Sequence, residues 1–284
     1  MSLKSEKFAE RVFLLSALVA VLVLVVISMF IVKEGWPIFA KTGLVKFLFS
    51  SDWFPTEGRF GIFTMILGTV YVTAGALVLG IPLGLGTAIF LAEIAPPRTG
   101  FVIKSAVELL AGIPSTVYGF FGIIVIVPLI RNVFGGSGFS ILAGSIILAI
   151  MVLPTIINIA VDAIKAVPRE YKDGSLALGA THWQTIIKVI LPASVSGLAA
   201  AVVLGMGRAI GETMAVLMVI GNATSMPGSI FDSTRTLTSN IAVEMAYASG
   251  DHIKALFATG MVLFVVIMVL NLIANYIVRR AVKV

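Results

Sequence analysis

PREYKDGSLALGATHWQTIIKVILP, residues 168–192, is the most informative segment outside the apolar runs, and the reading of the fold turns on it. Pro168 suits a helix start, and Glu170 and Asp173 suit the positively polarised first turns that follow it. Leu176, Ala177 and Leu178 form a small apolar patch, and Gly179 is a natural C-terminal stop. Thr181 with Gln184 reads as a capping box that opens a second helix. The segment is therefore predicted to be helix, glycine elbow, helix. Two readings of such an elbow stand side by side: an ordered connecting loop, or a rigid knob offered to a docking partner.

On both sides of this segment the chain is strongly apolar. Of its 284 residues 59% are hydrophobic and only 12% are charged, and the mean hydropathy is +1.09. A soluble domain carries about 25% charge, so too few charges remain to cover a water-facing surface, and the bilayer is the expected solvent. The formal net charge of +6 does not point to nucleic acid. The basic residues flank apolar runs, with Lys4, Lys7 and Arg11 before the first and Arg279, Arg280 and Lys283 after the last. That pattern anchors and orients membrane helices. With no cysteine present, disulfides, thiolate metal sites and cysteine nucleophiles are excluded.

A hydrocarbon core of about 30 Å needs about 20 helical residues. Six uncharged stretches qualify: 12–32, the later part of 60–92, 109–130, the later part of 132–161, 189–207 and 255–278. The first is too long for a signal-peptide core and ends at Val32-Lys33-Glu34-Gly35-Trp36 without a small-residue cleavage site, so it reads as a retained span. Residues 213–231 are also uncharged, but Gly221-Asn222 and Met226-Pro227-Gly228 interrupt them. Thr213–Ile220 is read as the end of the fifth span and the rest as loop, with a seventh span as the alternative. If both termini are cytoplasmic, 12 Lys/Arg fall in 60 inside-loop residues and 7 in 60 outside-loop residues, which favours that orientation.

Within the fifth span lies GMGRAIGETMAV, residues 205–216. Arg208 and Glu212 are four residues apart and share one face if the helix continues through them. A charge at the centre of a membrane helix costs about 2.5–3.5 kcal/mol on insertion scales, so the pair should face the bundle interior. Gly205, Gly207 and Gly211 thin the helix for close approach of a neighbour or ligand. Two roles fit: an anion pathway in which Glu212 fixes the guanidinium, or a structural ion pair. Glu108 is expected at the interface, Pro114 to kink the third span, and Ser115 and Thr116 to bond the freed backbone. His182 and His252 have no partner spacing for metal or catalysis, and Met206, Met214 and Met218 read as packing residues.

Residues 168–192 resemble the EAA loop of ABC importer permeases. That pattern is an acidic-small-small triplet, a glycine after three more residues, and Ile-x-Leu-Pro after nine more. Here Asp173, Gly174 and Ser175 stand for the triplet and Gly179 for the glycine. Val189-Ile190-Leu191-Pro192 closes the pattern, with Leu191 and Pro192 in place. The departures are Asp for Glu, Gly and Ser for the alanines, and Val for Ile. GRAIGETMAV followed by Gly221-Asn222, together with AGIPSTVYG at 111–119, resembles the permeases of the phosphate-specific transport family, the PstC type more than the PstA type. The resemblance covers residues 61–284, while 1–60, a transmembrane helix and outside loop, match only in layout. It implies an all-α, six-helix type I ABC importer permease (MetI-like) fold, with the permease core at 61–284 and a cytoplasmic coupling loop at 162–192. It implies a phosphate permease in a bacterial or archaeal inner membrane, with Arg208 and Glu212 lining the translocation pathway. The implied partners are a PstA-like second permease forming a heterodimer, PstB-like ATPase subunits, a periplasmic or lipid-anchored PstS-like phosphate-binding protein, and membrane lipid.

The chain has no G-x-x-x-x-G-K-[ST] and not even a Gly-Lys dipeptide, so it carries no P-loop. It is not expected to be an enzyme or to hold a cofactor, and ATP hydrolysis belongs on another subunit. Three alternatives remain. A permease for molybdate, sulfate or phosphonate would need the same cation. An ATP-independent channel or carrier lacks support from internal repeats. An intramembrane enzyme such as a lipid phosphotransferase would need a cluster of His, Asp or Ser that the sequence does not supply.

Overall fold

The computed structural model describes residues 3–282. Lys283 lies outside them, as do the side chains of Lys4, Lys7, Arg279 and Arg280. In chain order the elements are α1 (Leu3–Thr42), α2 (Leu44–Phe49), a small antiparallel hairpin of β1 (Trp53–Phe54) and β2 (Arg59–Phe60), α3 (Phe63–Ile89), α4 (Pro97–Gly112), α5 (Ser115–Phe121), α6 (Val127–Phe134) and α7 (Ile141–Lys165). They continue with α8 (Arg169–Ala177), α9 (His182–Thr185), α10 (Leu191–Gly211), α11 (Met214–Val219), α12 (Leu237–Glu244) and α13 (Asp251–Val282). Three π-helical turns, Phe90–Ile94, Gly122–Ile126 and Ile186–Ile190, extend α3, join α5 to α6, and join α9 to α10.

Among the described residues six helices are long and apolar enough to cross a bilayer: Glu10–Thr42, Phe63–Ile94, Ser115–Phe134, Ile141–Lys165, His182–Gly211 and Asp251–Ile273. Residues 221–236 form no seventh span. Gly221 and Asn222 turn the chain at φ +87 and +57, and Gly221 bridges to Thr234.

The third span differs from its expected limits. Residues 109–112 close α4, and the crossing helix begins at Ser115. Ile113 is extended because it precedes Pro114, and Pro114 then serves as the N-cap of α5. The proline thus separates two helices rather than kinking one. The Leu110 carbonyl, which accepts from the Ile113 N–H at 3.3 Å, also accepts from the Tyr118 hydroxyl at 2.8 Å, a bond expected of Ser115 or Thr116.

Helix α7 is the centre of the bundle. Two-thirds (67%) of its most apolar stretch is buried, against 0% for the first span. Lipid tails are as apolar as leucine, so membrane helices associate by close packing, and small residues permit it. A Cβ added at Gly75, Gly80 or Gly84 of α3 would come within 2.3, 3.1 and 2.7 Å of Ser145, Val152 and Ile156 on α7. On the other side of α7, a Cβ at Gly197 or Gly205 of α10 would come within 2.3 Å of Ala163 and 2.7 Å of Ile156. The Ser140 side chain caps α7 by accepting from the Ala143 N–H.

At one end of the bundle α1, α2, the hairpin, α12 and the start of α13 enclose a second core around Ile38, Phe47, Trp53, Phe60, Met65 and Leu256. The 168–192 elbow lies at the other end, where α3, α7 and α10 converge around Ala88, Ile164 and Ile186.

Candidate functional site

The elbow has the local structure its residues dictate. The Gly179 N–H donates to the Leu176 carbonyl at 2.9 Å and the Ala180 N–H to the Ser175 carbonyl at 3.2 Å. With Gly179 at φ +87, this is a Schellman stop, which requires a left-handed residue at that point. Thr181 and Gln184 form the reciprocal capping box, with bonds of 2.9 and 3.2 Å. The two arms are tied by a 3.0 Å hydrogen bond between the hydroxyls of Ser175 and buried Thr185. Asp173 and Gly174 are exposed on α8. Leu191 and Pro192 open α10 directly after the π turn, where the proline ring leaves the ladder short of a donor. At the apex Leu178 is 91% exposed, with Trp183 and Tyr171 exposed beside it.

Arg208 lies in the last turn of α10, where a cation complements the helix dipole. The guanidinium is exposed in the isolated chain, donates to the Thr155 hydroxyl of α7 at 3.4 Å, and lies within electrostatic reach of Tyr118. Glu212 does not share a helical face with it. The helix ends at Gly211, Glu212 is extended with ψ 130, and α11 starts afresh at Met214. The Glu212 carboxylate accepts the Ala215 N–H at 3.2 Å and its carbonyl accepts from Thr238. Among the described residues Arg208 and Glu212 form no ion pair. Gly205 gives the close approach to α7, while a Cβ at Gly207 or Gly211 would meet nothing. The arrangement is a broken membrane helix presenting an unneutralised cation on an open face. Such a face is costly against lipid and fits a water-filled passage or a second polypeptide.

Two clusters have no local sequence signal. Glu93, its side chain 10% exposed, receives Lys172 of α8 at 2.6 Å and has the His182 ring of α9 at 3.7 Å. At the opposite end Glu244, 7% exposed, pairs with Arg235 at 2.5 Å and His252 at 2.7 Å, and accepts from the Trp53 indole at 2.8 Å. Both histidines therefore have carboxylate partners that reading the sequence did not provide. The Glu93 cluster is formed across the fold, its lysine 79 residues away, whereas Arg235 and His252 lie 9 and 8 residues from Glu244 and only Trp53, 191 residues away, is remote from it. No cluster of three or more His, Cys, Asp or Glu able to hold a metal occurs among the described residues. Of the three methionines, Met206 is buried, Met218 packs on Gly119 and Met214 is exposed.

A family model described as "binding-protein-dependent transport system inner membrane component" matches residues 80–283. The chain is 42% identical over 271 residues to the probable ABC transporter permease protein YqgH of Bacillus subtilis, covering 93% of this chain and 88% of that one. It is 37% identical over 289 residues to the phosphate transport system permease protein PstC of Mesorhizobium japonicum, again covering 93% and 88%. Among solved structures it resembles the inward-facing MetNI methionine ABC transporter, with TM-score 0.61 at 20% identity over 76% of this chain and 93% of that one. A bacterial alginate ABC transporter matches with TM-score 0.60 at 18% identity over 98% of both chains. At these identities the two structures speak to fold alone.

Proposed function

This chain belongs to the family of binding-protein-dependent transport system inner membrane components, and from that membership we propose that it is a permease subunit of an ATP-driven importer of inorganic phosphate. The observation that carries the substrate is the likeness to phosphate transport permeases over 93% of the chain. The geometry supports the same reading. An exposed cation beside a helix break supplies electrostatic attraction for an oxyanion in a low-dielectric passage. The elbow, with Asp173, Gly174, Ser175 and Gly179 in its first arm and Leu191 and Pro192 closing it, is the surface on which a separate ATPase docks. Both termini lie in the cytoplasm, as the Lys/Arg bias favours. A homologous second permease covers the open face of Arg208, and a binding protein delivers phosphate at the end opposite the elbow.

The test is affinity purification of the chain in mild detergent, followed by reconstitution of whatever co-purifies. A second permease and an ATPase are expected to co-purify. The reconstituted assembly, supplied with binding protein outside, should take up labelled phosphate only with ATP inside. Uptake without ATP would establish an autonomous channel or carrier instead. Uptake of molybdate or sulfate in preference to phosphate would reassign the substrate.

A further inference from the structure

We propose that Glu93 is a positioning residue that locks the elbow to the second span, so that force applied at the elbow reaches α3 as well as α7 and α10. Its role in transport rests on the importer reading above. The elbow is covalently joined to the bundle at two places: to α7 through residues 166–168, and to α10 through the π turn Ile186–Ile190. A body held at two points can swing about the line between them, and a third attachment off that line removes the swing. Glu93 provides that attachment. It sits in the π turn Phe90–Ile94 at the end of α3, a local distortion of the kind that re-aims side chains at functional positions. Its carboxylate, nine-tenths covered, engages both arms of the elbow: Lys172 on α8 at 2.6 Å, and His182 on α9 at 3.7 Å. The Ser175–Thr185 bond makes those arms one unit. From Glu93 the path runs down α3, whose glycines bring it into close contact with α7 at Ser145, Val152 and Ile156. Residue Thr155 on α7 holds Arg208.

Two measurements test this separately from the importer reading. The chain has no cysteine, so Leu178→Cys carries a single spin label at the elbow apex. In the purified full-length chain, Glu93→Gln and Lys172→Met should each make the label about twofold or more as mobile. The exchange Glu93→Lys with Lys172→Glu should restore restraint. An unchanged label in Glu93→Gln overturns the lock. In the reconstituted complex, Glu93→Gln should assemble and hydrolyse ATP, yet import at least fivefold less inorganic phosphate per ATP, with the exchange recovering most of that ratio. A wild-type ratio with a loosened label overturns the positioning role. If Glu93→Gln fails to assemble, Lys172→Met carries the ratio measurement with the same criteria. If instead the wild-type complex imports no phosphate while the label responds as expected, the importer reading falls and the lock stands.

Discussion

Arg208 and Glu212 stand out in the sequence as charges in an apolar run, and their residue types are legible there. Their relation is not. Spacing of four implies one helical face only if the helix continues, and Gly211, which reads in sequence as thinning the helix for close approach, is instead its last residue. Because the two side chains bond separately, to Thr155 and to the Ala215 N–H, a pathway role and a structural pair now make different predictions. Arg208→Ala should reduce phosphate uptake more than tenfold while the complex still assembles. Lysine at 208 should recover part of it, since it keeps the charge but loses the planar fork that holds an oxyanion at two points. Glu212→Gln keeps an acceptor for Ala215 and loses the charge, and should lower uptake more mildly. Exchanging the two residues should restore nothing, because no pair exists to be rebuilt. Uptake and co-purification measured side by side check all four. Full transport in the exchanged protein, or lost assembly in Arg208→Ala, would return the residues to a structural role. Glu93 was hidden for another reason: its lysine partner is 79 residues away, and no periodicity or spacing rule reaches that far.

At the level of elements, the features written in neighbouring residues were legible and those made by packing were not. The elbow is the clearest case. Pro168, Gly179 and the Thr181–Gln184 box each act within four residues, and all are in place. The limits of the third span were misplaced because an apolar run does not reveal where Pro114 divides it. Gly179→Val forces a β-branched residue to φ +87, at about 1–3 kcal/mol. The second arm should then be misdirected, and uptake per ATP should fall several-fold in the reconstituted complex; wild-type coupling would remove the special role of the elbow. The contact between α3 and α7 yields a paired test. The Cβ of a valine at 84 would be driven into Ile156, whereas a Cβ at 86 meets nothing within 4 Å. Overpacking costs about 1–3 kcal/mol. In thermal unfolding of the detergent-purified chain Gly84→Val should lower the midpoint by several degrees and Gly86→Val should leave it nearly unchanged.

For the whole molecule, apolar run length together with the breaks at Gly221-Asn222 and Pro227-Gly228 was sufficient to count the six spans, since burial in lipid demands long apolar runs. It could not say which helix is central, because the first and last spans are more apolar than α7, whose position comes from where small residues on α3 and α10 allow contact. Orientation is a matter of charge distribution and has a direct test. A cysteine at Ser175, on the elbow, should be labelled by a membrane-impermeant reagent only after the cytoplasmic face is opened; labelling of intact cells from outside would invert the topology. The exposed apex of the elbow has one more consequence. Leu178, Trp183 and Tyr171 are large apolar side chains exposed on the elbow, and on the proposed cytoplasmic placement they face water, where quality-control proteases recognise such groups when they are left uncovered. On the proposed docking of a separate ATPase at the elbow, the steady-state amount of this protein in a cell should follow the supply of that ATPase rather than its own rate of synthesis, surplus copies turning over quickly and copies made alongside the ATPase persisting.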